Sequence, residues 1–338
     1  MNYTDKEKAR RINATFNRNY AITRMYAWYL DVCPELITRE MVDELTREGD
    51  MTKKEAIVAI LAELFGIDLD KDAENRILYR EYLTPSVRIF DAKRYTENPY
   101  YKNIKIDNVK DGKWELKREC YPAYRGVIAG DMMLLDNFRE VPPLGFFEED
   151  FYFPAVLEGG NEWMTLTPVD LDTSDEAIER AHGRVVTFGL GLGYYAYMVS
   201  EKPEVESITV VERSPFVIEL FKKHILPQFK NRQKVIIVND DAFNYAEKIM
   251  PEEKFDFAFV DIWRDASDGA PIYREFKKLE HLSPTTEFAY WIENFLISRC
   301  RAERLDELIE LVDNDDGRAP KSYGDFVAFL QEPLKETV

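Results

Sequence analysis

A chain of 338 residues that is 45% hydrophobic and 32% charged has the make-up of a soluble globular protein of about two domains. Its formal net charge of -18, with no Lys/Arg-rich tract to offset it, disfavours nucleic acid as a partner. No stretch approaches the roughly 18 apolar residues of a membrane span, and the start MNYTDKEKARR is too polar for a signal peptide or anchor, so the expected location is cytoplasmic.

Residues 1–83 read as a helical region. Thr52 and Glu55 form a capping box ahead of AIVAILAELF, and Gly66 stops that helix. The stretch KDAENRILYREYL is expected to end before Pro85. Phe16, Tyr20, Tyr26 and Tyr29 recur at near-helical spacing, which favours core packing over a site lining. Residues 84–173 read as an α+β region. The segment YKNIKIDNVKDGKWELKREC predicts a hairpin turned at Asp111–Gly112, and Gly126, Gly130 and Pro142–Pro143 read as turns.

Residues 174–338 alternate strand and helix. Thr173 and Glu176 read as a capping box, with Gly183 closing the short helix. Five apolar strands follow: RVVTFG, ESITVVE, KVIIVN, FDFAFVD and EFAYWIE. Ser214–Pro215 and Pro271 are read as helix starts between them. A helix CRAERLDELIELV and a strand DFVAFLQ are expected last. The fold class is therefore α/β, with a Rossmann-like, doubly wound, mostly parallel sheet in the C-terminal half. An N-terminal helical plus α+β region precedes it.

Three scattered cysteines (Cys33, Cys120, Cys300) and three histidines (His182, His224, His281) make no CxxC, HxH, HxxxH or HExxH. That argues against a disulfide framework or a His/Cys metal site; with acidic residues plentiful, an all-carboxylate magnesium site stays open, with no ligand to name. The sharpest motif is Gly189-Leu190-Gly191-Leu192-Gly193-Tyr194, between an apolar strand and a helix, where free N–H groups meet a bound nucleotide. The dinucleotide fingerprint needs a third glycine where Tyr194 stands, which disfavours NAD and FAD. The next strand ends at Glu212-Arg213, placed to bind ribose hydroxyls, and the third at Asn239-Asp240-Asp241-Ala242, placed for an adenine amino group. A tight turn, a solvated strand end and a helix cap are the competing readings.

On these residues the chain resembles the class I S-adenosylmethionine-dependent methyltransferase superfamily over roughly residues 160–295. The resemblance implies S-adenosylmethionine as cofactor. It would be held by the loop Gly189, Leu190, Gly191, Gly193 and Tyr194, by Glu212 with Arg213, by Asp241 or the competing Asp240 with Ala242, and by Asp261 at the end of Phe255–Asp261. Within the superfamily the chain is most similar to the spermidine-synthase-like branch, through Glu162-Trp163-Met164-Thr165-Leu166-Thr167-Pro168 and Asp261-Ile262-Trp263-Arg264-Asp265. Leu190 and Leu192 stand where aminopropyltransferases carry a denser glycine run with an aspartate, and about 80 helical residues precede the usual small β-domain.

The catalytic candidates are Asp261 (to hold or deprotonate an acceptor), Trp263 (to stack) and Asp265, with Asp268, Glu293 and Asn294 in reserve. No Asp-Pro-Pro-Tyr or Asn-Pro-Pro-Tyr, G-x-S-x-G or P-loop string occurs, so base-amino methylation, serine hydrolysis and P-loop NTPase activity are unsupported. The expected activity is methyl transfer from S-adenosylmethionine to an unidentified small-molecule acceptor, an amine among the candidates. Aminopropyl transfer and non-catalytic cofactor binding are the alternatives, and a homo-oligomer stays open.

Overall fold

The computed structural model describes residues 3–106, 109–313 and 319–331; the parts of the sequence expectations that fall on the other positions lie outside the described residues. The chain gathers into two compact units, each assembled from separate stretches. One draws on residues 1–90, 121–151 and 294–338, the other on 91–120 and 152–293.

The first unit is mainly helical. Its helices Tyr3–Val32, Arg39–Thr46 and Lys53–Leu64 enclose a core that includes Tyr26, Tyr29, Ile57, Leu61, Tyr82 and Phe146. The Thr52–Glu55 capping box forms, with Thr52 N donating to Glu55 Oε2 at 2.7 Å, and Gly66 ends the helix at φ +67°. Of the four spaced aromatics, Phe16, Tyr26 and Tyr29 are buried, while Tyr20 is 65% exposed. The helix expected to stop before Pro85 instead runs through it. Ala73–Ile77 leads into a π turn, Leu78–Leu83, and a last turn, Thr84–Ser86. The widened turn lets the N–H and hydroxyl of Thr84 both reach the carbonyl of Tyr79, and Pro85 starts the final turn, where its missing N–H is not needed.

Strand Val87–Phe90 pairs in parallel with Leu144–Phe147, which pairs antiparallel with Val127–Ile128. The long helix Glu293–Asp313 is tied to this unit at two points. Asp131 accepts from the N–H groups of Asn294 and Phe295, both at 2.9 Å. The buried Glu140 accepts from Arg301 at 2.9 Å and from Ser298 at 2.6 Å. The stretch expected as a final strand is a helix, Tyr323–Gln331. Ser322 and Asp325 exchange backbone-to-side-chain bonds at its start, and Phe326 and Leu330, four apart, bury against Ile12, Phe16 and Leu308.

The second unit holds the parallel sheet. In chain order it runs α1 (Pro168–Arg180), β1 (Gly183–Phe188), α2 (Tyr194–Ser200), β2 (Val205–Glu212), α3 (Pro215–His224), β3 (Val235–Asn239), α4 (Ala242–Lys248), β4 (Phe257–Val260), α5 (Ala266–Lys277) and β5 (Glu287–Tyr290). Every strand pair is parallel and the order is β3-β2-β1-β4-β5, so the winding reverses at β1. Residues 185–188 and 257–260 are buried throughout, as strands covered on both faces must be.

Two helix starts differ from the sequence expectation. α1 opens on a capping box between Thr167 and Asp170, with Pro168 at its first position; Thr173 lies inside it and donates to the carbonyl of Val169. α5 opens on Asp265 and Asp268, and Pro271 falls in its second turn. Ser214–Pro215 does start α3. Gly183 opens β1 rather than closing the helix. A separate antiparallel sheet orders Val109–Asp111, Trp114–Tyr121, Phe151–Glu158 and Asn161–Thr165, its first turn at Asp111–Gly112 with Gly112 at φ +62°.

Candidate functional site

Where strand order reverses, the connections leaving the carboxyl ends of adjacent strands part and open a crevice. Here those connections are Gly189–Gly193 after β1 and the turn after β4 that starts at Asp261. Gly189, Gly191 and Gly193 all have positive φ, at +97°, +54° and +74°. The fold itself demands two of them. A Cβ on Gly189 would collide with the carbonyl oxygen of Asp261, and one on Gly193 with the ring of Phe221. At Gly191 the obstacle is only the flexible end of Met164, with Sδ 2.8 Å from the Cβ position. Glycines 189 and 193 are therefore explained by the fold alone, and the chemistry of the site lies in the side chains around them.

Tyr194, which breaks the dinucleotide fingerprint, lines the cavity described below and is held there by packing. Asn98 donates to its hydroxyl at 3.1 Å and its ring meets Tyr100 edge-on. Tyr100 in turn donates to the carbonyl of Leu192 at 2.6 Å, holding the loop in place.

The loop bounds a cavity of about 60 Å³. Thr187 and Gly189–Leu192 form one side, and Tyr195 stacked on Phe259 at 4.2 Å forms another. Met164, Thr165 and Leu166 approach from the edge strand Asn161–Thr165 and the residue after it, and Trp291 lies beyond β5. Two carboxyl groups, Asp170 and Asp261, complete the lining, which contains no Lys, Arg or His. Burial pushes Asp261 up to about 8, and the negative charges of Asp170 and Glu212 add to the effect. No described residue donates a hydrogen bond to its carboxyl group. Burial also raises Asp170, to about 6, although Thr167 pulls it down by donating both its N–H (2.6 Å) and its hydroxyl (2.8 Å).

The remaining sequence candidates lie around or away from this cavity. Glu212 braces the loop: Oε2 accepts from Leu190 N at 3.2 Å and Oε1 from Ser214 N at 2.7 Å. Arg213 is exposed. Asp241 caps α4 through Phe243 N and Asn244 N, Ala242 begins that helix, and Asp240 binds the side-chain amide of Asn244. Trp263 is buried beside Tyr290, and its indole N–H finds no hydrogen-bond partner among the described residues. Asp265 is exposed and occupied in capping α5 with Asp268. Glu293 accepts from Tyr273 at 2.7 Å, and Asn294 bonds Asp131. Asp261 is thus the one catalytic candidate in the cavity lining.

The sequence singles out Met164 only within the 162–168 string, and Asp170, Tyr195 and Trp291 are not among its site candidates. For Asp170 a signal existed, since Thr167-Pro168-Val169-Asp170 is a capping-box string with proline at the first helical position. Tyr195 and Trp291 owe their place to chain crossings that no local pattern encodes.

The donor set fits a small cation. Two carboxyl groups and aromatic faces stabilise positive charge, and no basic side chain competes. A sulfonium meets that description; a pyrophosphate does not. The cavity is the size of a few water molecules, room for a charged group and its substituents rather than a whole nucleoside. Among the described residues no group of three or more His, Cys, Asp or Glu is placed to hold a metal ion, and no helix is long and apolar enough to cross a membrane.

No protein-family model matches the sequence, and no curated protein does. Solved structures show partial overlaps. The spermidine synthase of Thermotoga maritima matches at 19% identity over 40% of this chain and 49% of its own, with a TM-score of 0.30. A spermidine synthase in complex with the transition-state analogue AdoDATO matches at 18% identity over 44% and 54%, with a TM-score of 0.31. A Klebsiella pneumoniae protein described as an O-methyltransferase matches at 18% identity over 28% and 42%, with a TM-score of 0.22. The chain spans about half the length of the spermidine synthases it matches.

Proposed function

We propose that this chain is an S-adenosylmethionine-dependent transferase that methylates a small-molecule acceptor. The observation that supports the reading is the acidic, aromatic-walled cavity at the point where strand order reverses, with Asp170 and Asp261 unmatched by any basic lining residue. Bound there, S-adenosylmethionine supplies an electrophilic methyl group on a cationic sulfur. Gly189–Gly193 and Glu212 would hold its sugar side, Asp240 and Asp241 its base, and Asp170 and Asp261 its charge.

Asp261 has a second use. Raised to about 8 in the free chain, it would give up its proton to solvent when a cationic sulfur is bound beside it, and the carboxylate so formed is suited to accept a proton from an incoming nucleophile or to orient it. The same acidic wall would hold an ammonium group, which keeps an amine acceptor, and aminopropyl transfer as the second reading, in play. Calorimetric titration with S-adenosylmethionine, its decarboxylated form, S-adenosylhomocysteine and NAD tests the proposal. Binding of the intact cofactor supports it, and preference for the decarboxylated form promotes aminopropyl transfer. Binding of NAD alone, or of nothing, overturns it.

A further inference from the structure

We infer that Asp170 and Asp261 act together as a counter-charge, making the site prefer the charged sulfonium cofactor to the neutral thioether left after transfer. The inference rests on the cofactor reading above and adds what the site does with the product. In methyl transfer the carbon–sulfur bond breaks with its electron pair left on sulfur. The methyl group bonds to the acceptor's lone pair, and a proton on the acceptor passes to Asp261 or to solvent. Sulfur goes from charged to neutral, so a site built on charge loses its hold on the product.

The geometry that carries this is the convergence of the two carboxyl groups on one small cavity from different elements. Asp170 comes from the first turn of α1, outside the sheet, and Asp261 from the end of β4. Among the described residues the lining holds no basic side chain, and the charges that act on the two carboxyl groups are negative; Arg94 and Arg180 act on the neighbouring Tyr194 and Tyr195. Glu162, on the edge strand, adds negative charge at Asp170; Glu212, ending β2, adds it at Asp261. Tyr194 and Tyr195, on α2, are held neutral because burial raises their phenols. Thr167 donates two hydrogen bonds to Asp170, but no lining residue offers Asp261 a positive charge, so in the free chain it keeps its proton at neutral pH and is ionised only when a cation enters. A sulfonium would supply that charge.

The test is calorimetry on the full chain with S-adenosylmethionine and S-adenosylhomocysteine at neutral pH, for the wild type and for Asp170→Asn, Asp170→Glu and Asp261→Asn. One pKa unit relieved at the pair corresponds to a factor of about ten in affinity. The wild type is therefore expected to bind the sulfonium at least about tenfold more tightly than the thioether. In both Asn variants that gap should close to within about threefold through loss of sulfonium affinity, while Asp170→Glu retains it. Asp261 makes no capping bond, so Asp261→Asn keeps the test usable if Asp170→Asn unfolds. Equal affinity for the two compounds in the wild type, or an unchanged gap in both Asn variants, overturns the inference and leaves the cofactor reading standing. Binding of neither compound overturns both.

Discussion

Asp261 gives a prediction whose size can be worked out without any ligand. In the folded chain its carboxyl group titrates at about 8 against an ordinary 3.8, chiefly through burial. The sign follows from proton counting. Below about pH 4 the group is protonated in both folded and unfolded chains. Between there and about 8 the folded chain keeps the proton that the unfolded chain has released, so stability falls as pH rises; above that the full cost of a buried charge is present. A shift of about four units at 1.36 kcal/mol each sets a ceiling of about 6 kcal/mol. Relaxation around a partly exposed cavity lowers it, and at least about 2 kcal/mol should remain. Asp261→Asn replaces the acid with a neutral amide of the same shape. Urea unfolding across the pH range, followed by tryptophan fluorescence, should show the variant level with the wild type in acid. Near pH 9 it should be more stable by about 2 kcal/mol or more. Asp170 contributes to both proteins and largely cancels. Parallel pH profiles, or a variant less stable than the wild type in alkali, would refute the burial argument.

Gly189→Ala should cost more than about 3 kcal/mol or prevent folding, because the new Cβ strikes the Asp261 carbonyl at a φ of +97°. Gly191→Ala needs only Met164 to move and should cost about 1 kcal/mol; thermal melts of the pair decide. Glu212→Gln keeps one side-chain acceptor for the two backbone N–H groups now shared by the carboxylate. It should lose about 1–2 kcal/mol of stability and at least about tenfold in cofactor affinity, read by denaturation and calorimetry. Arg301→Ala strands the buried Glu140 with only Ser298 and should destabilise by about 3–5 kcal/mol, read by urea denaturation.

The parallel sheet was legible because its signals are strong and local. Val185–Phe188, apolar but for Thr187, and Phe257–Val260, apolar throughout, lack polar alternation, and Ser214–Pro215 starts its helix in the ordinary way. Boundaries failed where two signals competed. Thr173–Glu176 and Thr167–Asp170 are both box-like strings, and only the second has proline at the first helical position. At Pro85 a π turn absorbed the missing donor, and Asp325–Gln331 became helical because Phe326 and Leu330 had a partner surface from far away in sequence. The site was half legible. Glycines and strand-end carboxylates announce themselves, but the Asp170–Asp261 pairing depends on which helix turn meets which strand end, and the role of each glycine depends on what its missing side chain would strike.

The interleaving of the two units sets an order of events during synthesis. The first unit needs Arg301 and Ser298 to satisfy Glu140, Asn294 and Phe295 to engage Asp131, and Leu308 to close over Ile12 and Phe16. All of these leave the ribosome after residues 152–293, the bulk of the second unit. The parallel sheet therefore has its full complement of strands while the helical unit still waits for its last wall. At roughly 5–20 residues per second, that wait lasts on the order of ten seconds or more from the appearance of Glu140. During it a carboxylate destined for burial remains in water, and an apolar helix face is open to chaperones.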